Sequence, residues 1–480
     1  MAQEYEKKEL RQHIYDTPDT YVGGVEMITN LLPILNEGKI VYKEIEYIPA
    51  LLNIFNEILV NARDQIVRLN QMYEKDKSVS KVTNIKITFN PENSNFSVYN
   101  DGDGISTDIH QKEKIHIPQL IFGELLTSSN YKKDEKKIVG GKNGYGAKLA
   151  NIFSNVFTIT TIDKINQKKY NQTWKKNMTD CEKPSLKKFS GKPFTEISWD
   201  LDFKRFGIEK YSDDMLALMY RRIYDISGIT DKSVNVFLND EKIKIKSFLD
   251  YVKMFNENKK YVHDHISDRW DVIVTTSDND TFEQLSFVNG ICTSKGGSHV
   301  DYVTKLITNH LYDTIKKKHK KEVSDKVIKR YLSVYINSVI ENPSFDSQTK
   351  ERCITSQSKF GSKPVFSKKF LKEISNYNEL IDNILEANSK NENKDAKKTD
   401  GKKKNKIIVP KLDDANWAGT RKSEQCTLIL TEGDSAKSMA IAGLSVIGRD
   451  KYGVFPLRGK VLNVRDANPK QVNENKEIVN

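Results

Sequence analysis

Four glycines fall within seven residues of the run Lys137-Ile-Val-Gly-Gly-Lys-Asn-Gly-Tyr-Gly-Ala-Lys148, and they restrict what the chain can build there. Gly140, Gly141, Gly144 and Gly146 are interleaved with Lys142 and followed by Lys148. Glycine reaches backbone angles closed to other residues and lets N–H groups approach a ligand with no Cβ in the way. N–H groups converging ahead of a helix make an anion site, and lysine adds point charge for phosphate. The residues from Ala147 to Phe153 can carry that helix. Taken alone such a loop is more often than not an ordinary turn, so its meaning depends on what lies upstream.

Upstream lies a helix with polar chemistry along one stripe. From Pro49 to Leu69, apolar residues recur at Leu52, Phe55, Leu59, Ala62, Ile66 and Leu69, a helical spacing with proline suited to the first turn. Glu57, Asn61 and Gln65 stand at i, i+4 and i+8 and share a face, with Asp64 beside them. A solvated face would explain the stripe. Two details count against that. Asparagine gains nothing in mid-helix without a partner, and Ile58 and Val60 surround the stripe with apolar residues, which implies burial on more than one side.

A third element follows. Thr83–Phe89 and Asn95–Tyr99 alternate and read as strands joined by the turn Asn90-Pro-Glu-Asn-Ser94. The second strand runs into Asn100-Asp-Gly-Asp-Gly-Ile105. Asn or Asp at a strand end can hydrogen-bond a purine edge, and the glycines let a base approach the backbone. A hairpin turn or part of a calcium loop would use similar residues, although the bidentate Glu at loop position twelve is missing.

In combination, Glu-x3-Asn on a helix, Asn-x-Gly-x-Gly after a strand and a glycine-rich lid resemble the ATP-binding fold shared by type IIA topoisomerases, the large heat-shock chaperones, mismatch-repair clamps and histidine kinases. No Gly-x4-Gly-Lys-Ser/Thr P-loop occurs. Longer blocks resemble eukaryotic-type DNA topoisomerase II: Leu120–Asn130, Ser294–Asp301, Glu341–Lys350, Leu430–Lys437 and Gly453–Lys460. The resemblance extends from Asp19-Thr-Tyr-Val-Gly23 to Asn463-Val-Arg465. It implies an α/β (α+β) fold in three parts: a Bergerat-type ATPase sandwich with a mixed sheet, a second α/β transducer domain, and part of a Toprim α/β domain.

The same resemblance implies roles residue by residue. Glu57 is the general base for hydrolysis, which needs a carboxylate within hydrogen-bond reach of the attacking water. Asn61 is a ligand of the ATP-bound Mg²⁺, an ion that keeps most of its water and phosphate ligands. Asn100 hydrogen-bonds adenine, with Asp101 beside it. Ser128, Ser129 and Asn130 contact ribose and α-phosphate. The lid Gly141, Lys142, Asn143, Gly144, Tyr145, Gly146, Ala147 and Lys148 wraps the β- and γ-phosphates. Gln348, Thr349 and Lys350 come from the second domain, with Lys350 against the γ-phosphate. Tyr21 sits in an N-terminal arm that crosses to a second subunit and closes over its nucleotide. Glu432 is a Toprim Mg²⁺ ligand. Three positions depart from the pattern: Gln65, also implied to contact the ATP, stands where relatives have Asn, Lys142 where Arg is usual, and Asp103 adds a charge near the adenine loop.

Composition sets the partners. The 480 residues carry a net charge of +12, with 30% charged and 37% hydrophobic residues. That balance favours a polyanionic partner and supplies enough apolar residues for several cores. One dense basic run, Ile315–Lys321, matches a loop with which the family touches double-stranded DNA through Lys316, Lys317 and Lys318. The other, Asp395–Lys406, reads as a disordered linker or insertion. No apolar run suggests a membrane span or a secretion signal. Cys181, Cys292, Cys353 and Cys426 have no paired spacing and read as reduced thiols. An intracellular location follows, the nucleus or, for a viral protein, the host cell.

The expected divisions are an ATPase domain over 1–235 with its dimerisation arm, a transducer over 236–386, a basic linker over 387–424 and a partial Toprim domain over 425–480. Val234–Leu238 is expected as a strand straddling the first boundary, and Cys426–Thr431 as a buried strand. The family's later Asp-x-Asp metal pair and DNA-cleaving tyrosine do not occur here. The chain therefore reads as a fragment or as one half of a split enzyme, forming a homodimer on ATP and showing ATPase activity alone. The rival readings are a subunit whose second chain supplies the rest, or a stand-alone ATP-driven clamp or chaperone.

Overall fold

Period-two alternation of buried positions with exposed or half-buried ones builds the larger sheet, clearest in the strands Asn84–Asn90 and Phe194–Leu201. The computed structural model describes residues 7–127, 136–141, 144–398 and 411–457, with 462, 463, 465, 467 and 471 beyond them. Contacts divide the chain into two units, residues 1–381 and 382–480.

The first unit opens with α1 (Leu10–Asp16) and a separate hairpin, β1 (Ile28–Asn36) and β2 (Lys39–Tyr47). Then come α2 (Pro49–Lys75), β3 (Asn84–Asn90), β4 (Asn95–Asp101), α3 (Ile117–Gly123) and α4 (Gly146–Ile152). Strands β5 (Ser154–Asp163), β6 (Lys168–Lys175), β7 (Asp180–Cys181), β8 (Ser185–Lys188) and β9 (Phe194–Leu201) follow. They lead to α5 (Asp213–Ile229), β10 (Asn235–Leu238) and β11 (Glu241–Lys242). The order β11-β10-β3-β4-β9-β5-β6-β7, with β8 on β6, makes one mixed nine-stranded sheet in which β10 runs parallel to β3. The strand expected to straddle the boundary at 235 thus belongs to the first sheet, as does β11.

The second sheet has the order β12-β13-β16-β14-β15. Its parts are α6 (Phe248–Lys253), β12 (Val262–Ser267), β13 (Trp270–Thr276), β14 (Glu283–Val288), β15 (Ile291–Cys292), α7 (Ser298–His319), α8 (Asp325–Arg330), β16 (Leu332–Ser338) and α9 (Lys368–Ile374). One apolar core serves both sheets. It joins Phe55, Phe96 and Trp199 to Ile223, Tyr251, Ile273 and Phe287. Phe96 stacks on Trp199 at 5.8 Å.

Two expectations are corrected. Helix α10 (Asn378–Lys398) continues through residues 387–398, which the sequence suggested as linker; Ala, Glu and Lys there are good helix formers. In the second unit β17 (Thr427–Glu432) pairs in parallel with β18 (Tyr452–Leu457), and α11 (Asp434–Ile447) packs on both. β17 is not buried: Leu428 is 55% exposed and Leu430 57%. A parallel strand needs cover on both faces to be buried. Here two strands and one helix supply too little.

A buried polar knot fastens α5 into this core. Asp225, fully buried, accepts from Arg221 Nε at 3.1 Å, from Arg222 Nη1 and from the Tyr251 hydroxyl. Arg222 Nε also donates to Asn56 Oδ1 on α2 at 2.9 Å. Removing one partner leaves buried charge uncompensated, so Asp225→Ala should destabilise the chain by about 3–5 kcal/mol in urea denaturation. A loss below about 1 kcal/mol would show that water relieves the two guanidinium groups.

Candidate active site

Helix α2 is buried nearly all round, which explains its polar residues: Asn53, Glu57, Arg63 and Asp64 lie inside with Phe55, Leu59 and Ile66. Such groups need partners. Glu57, 6% exposed, accepts from Lys350 Nζ at 2.5 Å through Oε1. Its other oxygen faces Gly146, the first residue of α4, so closely that a Cβ there would lie 2.2 Å from Oε2. The glycine run therefore ends in a glycine because the carboxylate fills the space a side chain would need. Lys350 is 9% exposed and adopts φ +59° in a turn closed by its own N–H to Ser347 O, a conformation uncommon outside glycine. Gln348 and Thr349 are half-buried in the same turn.

The sequence alone gives no role to Asp64, one turn beyond Asn61. Its carboxylate accepts from the N–H of Gly140 at 2.9 and 3.0 Å and of Gly141 at 2.9 Å. These two N–H groups at the start of the lid are capped by protein. Burial raises the Asp64 pKa and lowers that of Arg63, whose Nη1 lies 3.7 Å from Asp64 Oδ1. A Cβ on Gly141 would lie 3.7 Å from Asn61 Oδ1. Asn61 thus stands at the lid, where a neutral oxygen suits Mg²⁺. Gln65 is half-buried one turn on.

Asn100, the last residue but one of β4, is 7% exposed, its Nδ2 donating to Asp101 O at 2.8 Å. Asp101 is corrected. Its carboxylate accepts from the N–H and hydroxyl of Thr83 and from the N–H and Nδ2 of Asn84. It fastens the start of β3 and is not offered to a base. Asp103, unexplained by the sequence, accepts from Ser80 N–H at 2.9 Å and pairs with Lys164 at 3.1 Å. Gly104 has φ +72°, and a Cβ would lie 1.9 Å from Ile162 O, so glycine is required.

Lys148 is buried and donates to Thr127 O and Gly144 O, both at 2.7 Å. It ties the middle of the lid to the segment after α3 and keeps one of three donors for another acceptor. Ala147 is buried, and Gly144 takes φ +70°. Ser128, Ser129, Asn130, Lys142 and Asn143 lie outside the described residues.

Tyr21 is placed against its own chain. Its ring meets Tyr145 edge-on at 6.1 Å, and its hydroxyl lies 3.1 Å from His13 Nδ1. Asn53 Nδ2 donates to Val22 O and Ala50 N–H to Gly24 O, which tie this segment to the start of α2. Gly23 abuts Thr349: a Cβ would lie 3.0 Å from its methyl.

The expected basic loop is the last turn of α7. Lys316 pairs with Glu322 at 3.0 Å, and Lys318 Nζ donates to Ser375 O at 3.0 Å and Asn376 Oδ1 at 2.9 Å. Lys317 and Lys320 are exposed. Glu432 is an exposed strand-end carboxylate. Among the described residues no cluster of three or more His, Cys, Asp or Glu is placed to hold a metal ion, and no helix is long and apolar enough to cross a membrane.

Residues 245–405 match the family described as DNA gyrase B. The chain is 47% identical to DNA topoisomerase 2-alpha of Cricetulus griseus, over 99% of this chain and 31% of that protein. It is 46% identical to DNA topoisomerase 2 of Pisum sativum, over 99% and 32%. The ATPase region of Saccharomyces cerevisiae topoisomerase II superposes with a TM-score of 0.74 at 38% identity, covering 81% of this chain and 99% of that one. The ATPase and transducer domains of DNA topoisomerase II from Balamuthia mandrillaris give 0.75 at 35% identity, over 81% and 98%. The mixed α/β architecture is thus that of a topoisomerase ATPase region. The chain belongs to the DNA topoisomerase II family. It spans about a third of the length of the curated relatives it matches.

Burial lowers the Lys148 pKa to about 8, against a smaller opposing effect of Glu124. Affinity for a non-hydrolysable ATP analogue should therefore weaken as pH rises through about 8, where the ammonium discharges. The stability term runs the other way. From about pH 8 up to the ordinary lysine range the unfolded chain binds more protons, so the Lys148 contribution to stability rises with pH. Lys148→Arg should flatten the binding profile; an unchanged profile would remove Lys148 from phosphate binding.

Proposed function

We propose that this chain is the ATP-gate portion of a DNA topoisomerase II: it binds and hydrolyses ATP, dimerises on it, and drives passage of one duplex through a break in another. The observation carrying this reading is the meeting at Glu57 of three segments: the catalytic helix, the end of the glycine lid and Lys350 from the region beyond the second sheet. The proposed divisions are an ATPase domain ending near Lys242, where β11 closes the first sheet, a transducer to about 386, a connecting segment to 424, and the start of a Toprim domain. Nuclear location follows from the same reading.

In this reading Glu57 takes the proton of the attacking water through the oxygen facing Gly146, while Lys350 holds the other oxygen and orients the carboxylate. An ammonium has three donors, so Lys350 can keep Glu57 and reach a γ-phosphate together. Loss of that phosphate then frees the Lys350 turn, an order–disorder or rigid-body switch of the kind nucleotides drive. Asn100 reads the adenine, and Ser128, Ser129 and Asn130 with Lys142 and Asn143 complete the pocket. Asn61 would hold Mg²⁺, which supplies charge neutralisation between phosphates. Glu432 would serve a second Mg²⁺ with ligands from further chain. Tyr21 closes the site from the N-terminal arm, and a second copy supplies the dimer.

Glu57→Gln should bind the ATP analogue about normally yet lose steady-state hydrolysis by roughly 10²–10⁴-fold, the range for a general base. Hydrolysis at the wild-type rate would remove Glu57 from that role. For DNA, lysine contacts to phosphate position a duplex without reading its sequence. Lys317→Ala should flatten the salt dependence of DNA binding by up to about 0.9 log units. Lys318→Ala should change it less, because that ammonium is already engaged by Ser375 and Asn376. Equal slopes for wild type and Lys317→Ala would exclude this turn as the contact.

A further inference from the structure

The base of the glycine lid is gripped by the second sheet at a place distant in sequence from Lys350. Strands β14 and β15 are joined by Asn289-Gly290, with φ +51° and +82°, the left-handed pair of a tight primed hairpin turn. The tip of this hairpin inserts beside α2. A Cβ on Gly290 would lie 2.9 Å from Arg63 Cδ. A Cβ on Gly140 would lie 2.8 Å from Val60 Cγ1 and 3.1 Å from Asn289 O. Gly140 is thus wedged between the catalytic helix and the hairpin tip, where any side chain would clash.

The Asn289 side chain is fully buried and uses both ends. Nδ2 donates to Val139 O at 3.3 Å, immediately before the lid glycines, and to Ile340 O at 2.9 Å. Oδ1 accepts from Ile340 N–H at 2.8 Å. Two residues further on, Asn342 N–H donates to Lys137 O at 2.8 Å, and Asn342 Oδ1 accepts from Lys137 N–H at 3.2 Å. Residues 137–139 are therefore bonded to the hairpin tip and to the segment that leaves β16.

We propose that Asn289 is a positioning residue that couples the glycine lid to the second sheet, a route separate from Lys350. A lid that moves on closing over nucleotide must carry Val139 and Gly140 with it, and through Asn289 the β14–β15 tip and residue 340. Lys350 reports on Glu57 and the terminal phosphate; Asn289 reports on lid position. The inference rests on the ATP-site reading, since it needs the lid to respond to nucleotide.

The test uses the 480-residue chain with Asn289→Gly, which keeps the left-handed turn and deletes only the side-chain hydrogen bonds. Amide hydrogen exchange is followed with and without a non-hydrolysable ATP analogue, alongside kcat and KM for ATP. In the variant the analogue should still protect residues 144–148 and KM should move little. Protection of 286–293 and 339–342 should disappear, and kcat should fall about fivefold or more. Combined with Lys350→Ala, the two losses should multiply, as for independent routes. Asn342→Gly, at an exposed site whose φ of +44° suits glycine, should weaken the same protection to a smaller degree and guards against a folding defect at Asn289. A wild-type pattern of nucleotide-dependent protection in Asn289→Gly would overturn this inference alone. So would a uniform loss of protection that does not depend on nucleotide. No nucleotide-dependent protection anywhere in the wild-type chain would overturn the ATP-site reading and this inference with it.

Discussion

A carboxylate and an ammonium 293 residues apart in sequence, Glu57 and Lys350, meet at 2.5 Å in a buried setting, and much of the site's geometry follows from that contact. Neither charge is tolerable there alone, since breaking a buried pair typically costs several kcal/mol. Apolar contacts hold the two sheets together over a broad area, but such contacts are non-directional. The ion pair adds direction. It selects the one placement in which the turn at 347–350 reaches α2, and the same turn places Thr349 against Gly23 of the N-terminal segment.

A second polar group, Arg221, Arg222, Asp225 and Tyr251, acts on the same boundary from behind. Arg222 reaches Asn56, the residue before Glu57, while Arg221 lies 3.9 Å from Cys292 Sγ at the end of β15. A small cavity lined by Asn53, Asn56, Arg222, Cys292 and Thr349 separates this group from the Glu57–Lys350 pair. Satisfied buried networks are rigid and intolerant of partial disruption. Helix α2 is thus held from two sides by groups that cannot drift separately.

The glycines of the lid do different work. Gly144 has the positive φ that only glycine adopts freely, whereas Gly140 and Gly146 are needed for space, against Val60 and Asn289 in one case and Glu57 in the other. Gly140 and Gly141 also present N–H groups, but to the Asp64 carboxylate. The lid is therefore anchored by protein at its start and bounded by the Glu57 carboxylate at its end, with Lys148 tying Gly144 to Thr127.

What the sequence determined by itself was local. The period of α2, the alternation of β3 and β4, the turn chemistry between them and the order of the glycine lid after them are properties of neighbouring residues, and the α/β fold of the family was legible from these together with the longer matching blocks. An Asn-Gly turn between apolar runs at 287–292 was also there to be read as a hairpin, although nothing local said what its tip would touch. Tertiary structure decided the rest. Asp101 and Asp103 look alike in a loop and both proved to be fasteners, because their partners Thr83, Asn84, Ser80 and Lys164 come from other segments. Tyr21 faces Tyr145 of its own chain, and Lys318 is engaged by Ser375 and Asn376. β17 reads as buried but stands exposed, since cover comes from neighbours and not from the strand. Hydrophobic period reports how a segment wants to fold; the partner of a buried charge, or of a buried asparagine such as Asn289, is fixed only when distant segments are packed against it.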